Sequence, residues 1–276
     1  MQGIQELAHA KVNLFLRVLR HREDGFHEIE TFMAPITLCD SLKLESANAF
    51  EFRCDEPGLA GEDNLVVRAA RLFFSEINRP PKVRLTLRKE IPHGAGLGGG
   101  SSDAAAALRG LNRFFDAGLS SEKLRTLGAQ LGSDVSFFVN QTAATCSGRG
   151  EIVKLASLRE PLSLLLLKPE FGVPSSWAYS RWQATREAAG EIYHSQKLDE
   201  IVFVNNLERP VFEKFVFLAQ VKSWLLKQPE VGAALMSGSG STLFAVLRPN
   251  VDGDSIAKRA KSELDPQLWT CVCDTL

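Results

Sequence analysis

Residues 92–103 read PHGAGLGGGSSD, with glycines at 94, 96, 98, 99 and 100 followed by Ser101, Ser102 and Asp103. Glycine reaches backbone conformations closed to other residues and lets a ligand approach the main chain. Apolar residues at helical spacing follow at once (Ala104, Ala107, Leu108, Leu111, Phe115), so a helix amino terminus, with unpaired N–H groups and roughly half a positive charge, faces the glycines. The pattern predicts a phosphate cradle made by the N–H groups of Gly96 to Ser102, with Ser101 or Ser102 capping the helix. Gly94 to Gly99 also fits the G-x-G-x-x-G spacing of dinucleotide folds. A Rossmann unit, however, needs a second strand ending in an acid about 20 residues on, and Asp116 lies between two helical patterns. No Lys-Ser or Lys-Thr follows the last glycine, which excludes a Walker A loop. A flexible loop is the bland alternative, but so many close glycines carry an entropy cost that packing seldom requires.

Other residues offer the chemistry such a cradle would serve. In KVNLFLRVL (11–19) apolar Val12, Leu14, Leu16 and Val18 alternate with Lys11, Asn13, Phe15 and Arg17, the pattern of a half-buried strand whose Lys11 and Asn13 reach one ligand from one face. Asp134, after Gly132-Ser133 and before an apolar run, is a proton acceptor or equally a helix cap or turn former. An adjacent lysine would make such a carboxylate a weaker base, which leaves two roles open to it, positioning an acceptor or abstracting its proton. The Asp24-Gly25-Phe26-His27 turn carries an aromatic ring and an imidazole, and Gly238-Ser239-Gly240 lies between two strand patterns.

These residues must be held by a core that 276 residues can build without metal or disulfide. Hydrophobic residues at 45%, charged residues at 24% and a formal charge of −1 exclude a nucleic-acid binder held by a basic field. Five scattered cysteines without Cys-x-x-Cys spacing are expected to be reduced and mostly buried, and the longest apolar stretches, such as 161–167, fall short of a membrane span. A cytoplasmic enzyme is expected. Strands are expected at ETFMAPITL, SLKLESANAFEFRC, 83–87 and on either side of 238–240, and helices at 64–77 (capped by Asp63 or Asn64), 121–131, 179–204 and 211–228. Prolines around 155–161 mark a passage between domains near residue 158.

Pro92 to Ser102 resembles, along its whole length, the phosphate-loop signature of the GHMP small-molecule kinases. AKVNLFLRV before DGFHEIET, LGSDVSFF, KPEFGVPSSWAY, NNLE at 205–208 and MSGSGSTLFAV at 236–246 are similar to segments of the branch whose acceptor alcohol, a methylerythritol on the route to isoprenoid precursors, carries a cytidine diphosphate. The resemblance runs from about residue 8 to about 247; His9 replaces the usual proline, and Phe26 a common tyrosine. It implies an α+β fold of two domains, 1–158 with a mixed sheet and 159–276 with an antiparallel sheet, and an active site between them. ATP would be held through Pro92, Gly94, Ala95, Gly96, Leu97, Gly98, Gly99, Gly100, Ser101 and Ser102. Asn64 would lie near the adenine, with helix capping as its competing role; Ser101, Ser102 and Asp103 would lie within reach of Mg²⁺, with capping again the alternative for Asp103. Mg²⁺ would ride on the phosphates rather than in an all-protein site. Lys11 and Asp134 would be the catalytic pair for transfer to the 2-hydroxyl. Asn13, Phe26, His27, Ser175, Tyr179 and Gly238 would bind the acceptor, Phe26 and Tyr179 stacking on its cytosine and His27 reading its polar edge. The 238–240 turn would close over the site as a second glycine loop. DGFHEIET favours this branch over homoserine or mevalonate kinases, and the presence of both Lys11 and Asp134 argues against a non-catalytic sensor.

Overall fold

A computed structural model describes residues 3–185 and 191–276. The chain opens with two long antiparallel strands, β1 (Ile4–His21) and β2 (His27–Ser46), joined by a turn in which Gly25 adopts φ 82°. They are followed by β3 (Glu51–Cys54), α1 (Leu65–Ile77), β4 (Val83–Arg88), α2 (Gly99–Phe114), α3 (Ser121–Leu131), the single turn α4 (Val135–Phe138) and the hairpin β5 (Ala144–Gly148) and β6 (Ile152–Leu155). Then come β7 (Ser163–Lys168), α5 (Ser175–Thr185), β8 (Gln196–Leu198), β9 (Ile201–Asn205), α6 (Glu208–Lys214), α7 (Val216–Leu226), β10 (Val231–Met236), β11 (Leu243–Leu247), α8 (Gly253–Glu263) and β12 (Trp269–Asp274).

The first sheet is mixed, in the order β3-β4-β2-β1-β9-β8, with β5 and β6 attached to the other end of β2. The second is antiparallel throughout, in the order β10-β11-β7-β12. Helices α1 and α2 bury Phe73, Ala104 to Leu108 and Leu111 against the first sheet. Val12, Leu14, Ala34 and Phe203 of that sheet pack against Leu164, Leu166, Leu235 and Phe244 of the second. Leu165 and Leu167 face the opposite way, into α6 and α7. Both faces of β7 are therefore covered, which is why SLLLLK shows no alternation. The sheets share one apolar layer, and that layer fixes the side chains at its edge relative to one another.

Several sequence expectations change. Lys11 and Asn13 are only 3% and 4% exposed, because the glycine loop covers the polar face of β1; the strand is buried on both faces there. ETFMAPITL and the start of SLKLESANAFEFRC form one strand, since Asp40 inside it is satisfied by the N–H groups of Glu90 and Ile91 and needs no turn. Of the helix expected over 179–204, the part up to Thr185 is helical in α5, residues 186–190 lie outside the described residues, and Ile201–Asn205 is instead a strand parallel to β1, as its β-branched residues favour. The helix expected over 211–228 breaks at Phe215, whose ring leaves the helical path to stack on Phe171 at 5.3 Å. Only Cys146 and Cys273 of the five free thiols are buried; Cys39, Cys54 and Cys271 are half-exposed.

Candidate active site

Every residue expected to act on ATP or the acceptor, except Ser102, lines one cavity of about 920 Å³. The glycine loop forms one wall. Gly94, Gly96 and Gly98 take φ of 63°, 75° and 74°, a region that other residues enter only with strain. Helix α2 begins at Gly99 with Gly98 as cap, and Ser102 N–H makes the first helical bond, to Gly98 O at 2.9 Å. The N–H groups of Gly98 to Ser101 precede that bond and face the cavity unpaired by the helix. This fits a phosphate, and it corrects two expectations: neither serine is the cap, and Ser102, 1% exposed, spends its hydroxyl on His9 O at 2.7 Å. A Cβ at Gly94 would meet nothing within 4 Å and one at Gly100 only Leu65 Cδ1 at 3.7 Å, so the wall is open to a ligand there. Gly96 and Gly98 have a second duty. Side chains there would collide with Ser237 O at 2.3 Å and with Phe138 at 2.7 Å.

The colliding Ser237 belongs to the loop between β10 and β11, where the chain turns through Gly238 and Gly240, both at positive φ. Ser237 Oγ donates to Gly96 O, and Thr242 N–H to Ala95 O at 3.1 Å, so the two glycine loops are clasped together. Ser175, at the start of α5, exchanges a hydrogen bond with Ser239 Oγ at 2.7 Å. Asn205 holds the loop from below by donating to Met236 O and Gly238 O, both at 2.7 Å. NNLE carries no local sign of this role; the register of β9 beside β1 gives Asn205 its place.

Lys11 sits where the loops meet. Its Nζ donates to Asn13 Oδ1 at 2.5 Å and Gly96 O at 2.9 Å and lies 3.9 Å from Asp134 Oδ2. Asn13 is oriented in turn by donating to Thr31 Oγ1 at 2.8 Å, and that hydroxyl donates to Phe15 O. Burial lowers the Lys11 pKa from the ordinary lysine value, with Asp134 opposing the shift. The backbone of Asp134 caps α4, but its side chain makes no cap bond and remains 35% exposed towards the cavity. Asn64, by contrast, caps α1: Oδ1 accepts from Val66 N–H and Nδ2 donates to Leu59 O, which commits both ends of its amide.

At the far end His27 and Tyr179 lie side by side, their rings 5.5 Å apart and inclined by 33°. Burial, and then neighbouring His21, holds the His27 imidazole below its ordinary pKa. Burial also raises the Tyr179 hydroxyl, so it stays neutral. Phe26 is 49% exposed, with the Arg149 guanidinium over its ring at 4.7 Å. Beneath the glycine loop Lys89 bonds Asp103 Oδ2 at 2.6 Å and also Asp40. Asp103 therefore turns towards a lysine, while its buried Oδ1 has no partner. Neither Asp40 nor Lys89 stood out in the sequence, because the triad joins residues 40, 89 and 103 only after β2, β4 and α2 have packed. Among the described residues there is no cluster of three metal-ligating side chains, and no helix is long and apolar enough to cross a membrane.

Comparison with known proteins agrees with this geometry. Residues 64–148 match the GHMP kinases N terminal domain and residues 179–265 the GHMP kinases C terminal domain. A 4-diphosphocytidyl-2-C-methyl-D-erythritol kinase of Methylacidiphilum infernorum is 41% identical, over 99% of this chain and 97% of its own length. A crystal structure of 4-(cytidine 5'-diphospho)-2C-methyl-D-erythritol kinase superposes with a TM-score of 0.79 at 34% identity, covering 99% of both chains. Homoserine kinase from Cytophaga hutchinsonii, at 13% identity and a TM-score of 0.71 over 99% of this chain and 94% of its own, shares the fold. With its mixed and antiparallel sheets and its paired glycine loops, the chain belongs to the GHMP kinases and, among them, to the 4-diphosphocytidyl-2-C-methyl-D-erythritol kinases.

Proposed function

We propose that the cavity transfers the γ-phosphoryl group of ATP to the 2-hydroxyl of 4-diphosphocytidyl-2-C-methyl-D-erythritol, with Lys11 and Asp134 acting at the reacting atoms. The observation that carries this assignment of roles is the position of Lys11 Nζ, bonded to the phosphate loop at Gly96 O and facing the open carboxylate of Asp134. The N–H groups of Gly98 to Ser101 bind donor phosphate oxygens. Burial leaves the Lys11 ammonium poorly solvated, so an arriving phosphoryl group is its best counter-charge. Asp134 orients the acceptor hydroxyl and receives its proton as the oxygen bonds to phosphorus and the bond to the ADP oxygen breaks. The Ser101 hydroxyl and Asp103 Oδ1 are the oxygens near the head of α2 that would face Mg²⁺ bound with ATP, which would supply positive charge to the phosphates.

At the acceptor end a neutral His27 has one donor and one acceptor nitrogen for the edge of cytosine, and Phe26 and Tyr179 provide ring faces. Residues 1–158, whose sheet also takes in β8 and β9, then form the ATP-binding lobe, and the rest of 159–276 the lobe that closes the site through Ser175 and Gly238. Five unpaired thiols suit a reducing, cytoplasmic setting. The test is ADP release over a panel of acceptor alcohols. The cytidine-diphosphate form of methylerythritol is expected to be used well and its uridine counterpart poorly. Equal use of both would overturn recognition of the cytosine edge.

A further inference from the structure

The acceptor carries a diphosphate of its own, and none of the roles above provides for it. Among the described residues lining the cavity, the lysines and arginines are Lys11, Lys89 and Arg149. Lys11 is assigned above to the transferred phosphoryl group, and Lys89 is committed to Asp40 and Asp103. Arg149 remains. It sits at the tip of the β5–β6 hairpin between two glycines at positive φ, Gly148 (72°) and Gly150 (113°), in a tight turn closed by Gly150 N–H donating to Ser147 O at 3.0 Å. That turn rests against the proposed catalytic carboxylate: a Cβ on Gly150 would lie 3.8 Å from Asp134 Oδ1 and 3.7 Å from Ser133 Cβ.

Two contacts fix the side chain of Arg149. The guanidinium lies over the Phe26 ring at 4.7 Å, and Glu151 approaches its Nε at 3.6 Å while accepting the Arg149 backbone N–H at 2.6 Å. Among the described residues its two Nη groups carry no hydrogen bond, and 29% of the side chain is exposed. A planar cation held on an aromatic face, with its terminal donors free, is organised in advance to take two phosphate oxygens. It is also needed there, since the Asp134 carboxylate lines the same cavity and Glu151 lies beside the turn, and both would repel an unescorted diphosphate.

We propose that Arg149 is a binding residue for the diphosphate of the acceptor, with Phe26 as its platform on one face while the other face is left to the base. The proposal rests on the function assigned above, and the experiment separates the two. Wild-type enzyme is first assayed with the cytidine-diphosphate form of methylerythritol; absence of turnover would sink both readings. Cytidine diphosphate and cytidine are then compared as competitive inhibitors against the acceptor in wild type and Arg149→Gln. Loss of a charge-assisted hydrogen bond should weaken the diphosphate by roughly 10- to 100-fold, with cytidine inhibition and the KM for ATP little changed. Arg149→Lys, which keeps the charge but not the fork, should fall between the two. Equal weakening of cytidine and cytidine diphosphate would show that Arg149 only supports Phe26, and no weakening of either would show that it does not touch the acceptor; each result overturns the proposal while leaving the kinase function standing.

Discussion

Lys11 and Lys222 are both buried and both face a carboxylate, one pair at the cavity and the other inside the C-terminal half, and they are built in opposite ways. Lys222 Nζ donates to Glu208 Oε2 at 2.5 Å with both side chains almost wholly enclosed, and Glu208 Oε1 accepts Met236 N–H at 2.9 Å. Burial pushes the Glu208 carboxyl up, while Lys222 and the Met236 amide pull the other way. Lys11 has only neutral oxygens at hydrogen-bond distance; its carboxylate is 3.9 Å away and open to the cavity. A closed pair has spent its charge on the fold. An open pair keeps charge in reserve for a substrate, and distance and exposure separate the two types where residue identity does not.

The contrast breaks most visibly at the open pair. Asp134→Asn is expected to fold as wild type by circular dichroism and to lose ~10²- to 10⁴-fold in kcat, and a loss of less than about threefold would remove Asp134 from the chemistry. Lys11→Ala should behave alike, and the double variant should be little worse than the poorer single one, because the two act on the same transfer. At the closed pair the same kind of change should appear as lost stability. Lys222→Met leaves Glu208 charged and unpaired in the interior, at an expected cost of ~3–5 kcal/mol by urea denaturation. Glu208→Gln added to Lys222→Met removes the stranded charge and should recover most of that loss, with kcat close to wild type in whatever fraction folds. A Lys222→Met protein as stable as wild type would show that closure does not mark a structural pair.

Legibility in the sequence follows the same division between local and assembled features. The glycine loop, the helix behind it and α3 were readable because turn residues and apolar spacing are local signals. So was the candidate pair, because motif resemblance supplied Lys11 and Asp134 at positions where spacing alone left cap and catalyst equal. What stayed hidden was made by packing. Nothing in GLGG tells that Gly96 is bare for the sake of Ser237 O and Gly98 for the sake of Phe138, residues far along the chain. The strand at 201–205 was masked by polar neighbours and takes its meaning from β1. Arg149 carries a local sign, a lone arginine between two glycines, but nothing local ties it to the Phe26 ring, which only the pairing of β5 with β2 brings beneath it.

Lys89 stands between the two extremes, with one cation for two carboxylates, and it predicts the smallest of these effects. Burial, with Asp40 adding to it, pushes the Asp103 carboxyl up to about 7 against the pull of Lys89. Lys89 is itself held above the ordinary lysine value, since Asp103 and Asp40 together outweigh the burial that opposes its charge. An unfolded aspartate titrates near ~3.9. Between that value and about 7 the folded chain keeps a proton that the unfolded chain has released, so stability must fall as pH rises through this window and level off above it. The two acids share the lysine, and the proton belongs to the pair. Asp103→Asn removes the titrating group while keeping an acceptor for Lys89, so its stability curve should be flatter than that of the wild type. Urea midpoints at pH 5 and pH 8 measure this: the wild type should lose more stability between the two than the variant, and equal losses would mean that Asp103 is already ionised at pH 5. Because Asp103 lies in the second turn of α2, the same proton sits behind the phosphate loop, and a lysine held between the two acids has no charge left for ATP. That is why Lys89, although it lines the cavity, belongs with Lys222 in kind and not with Lys11.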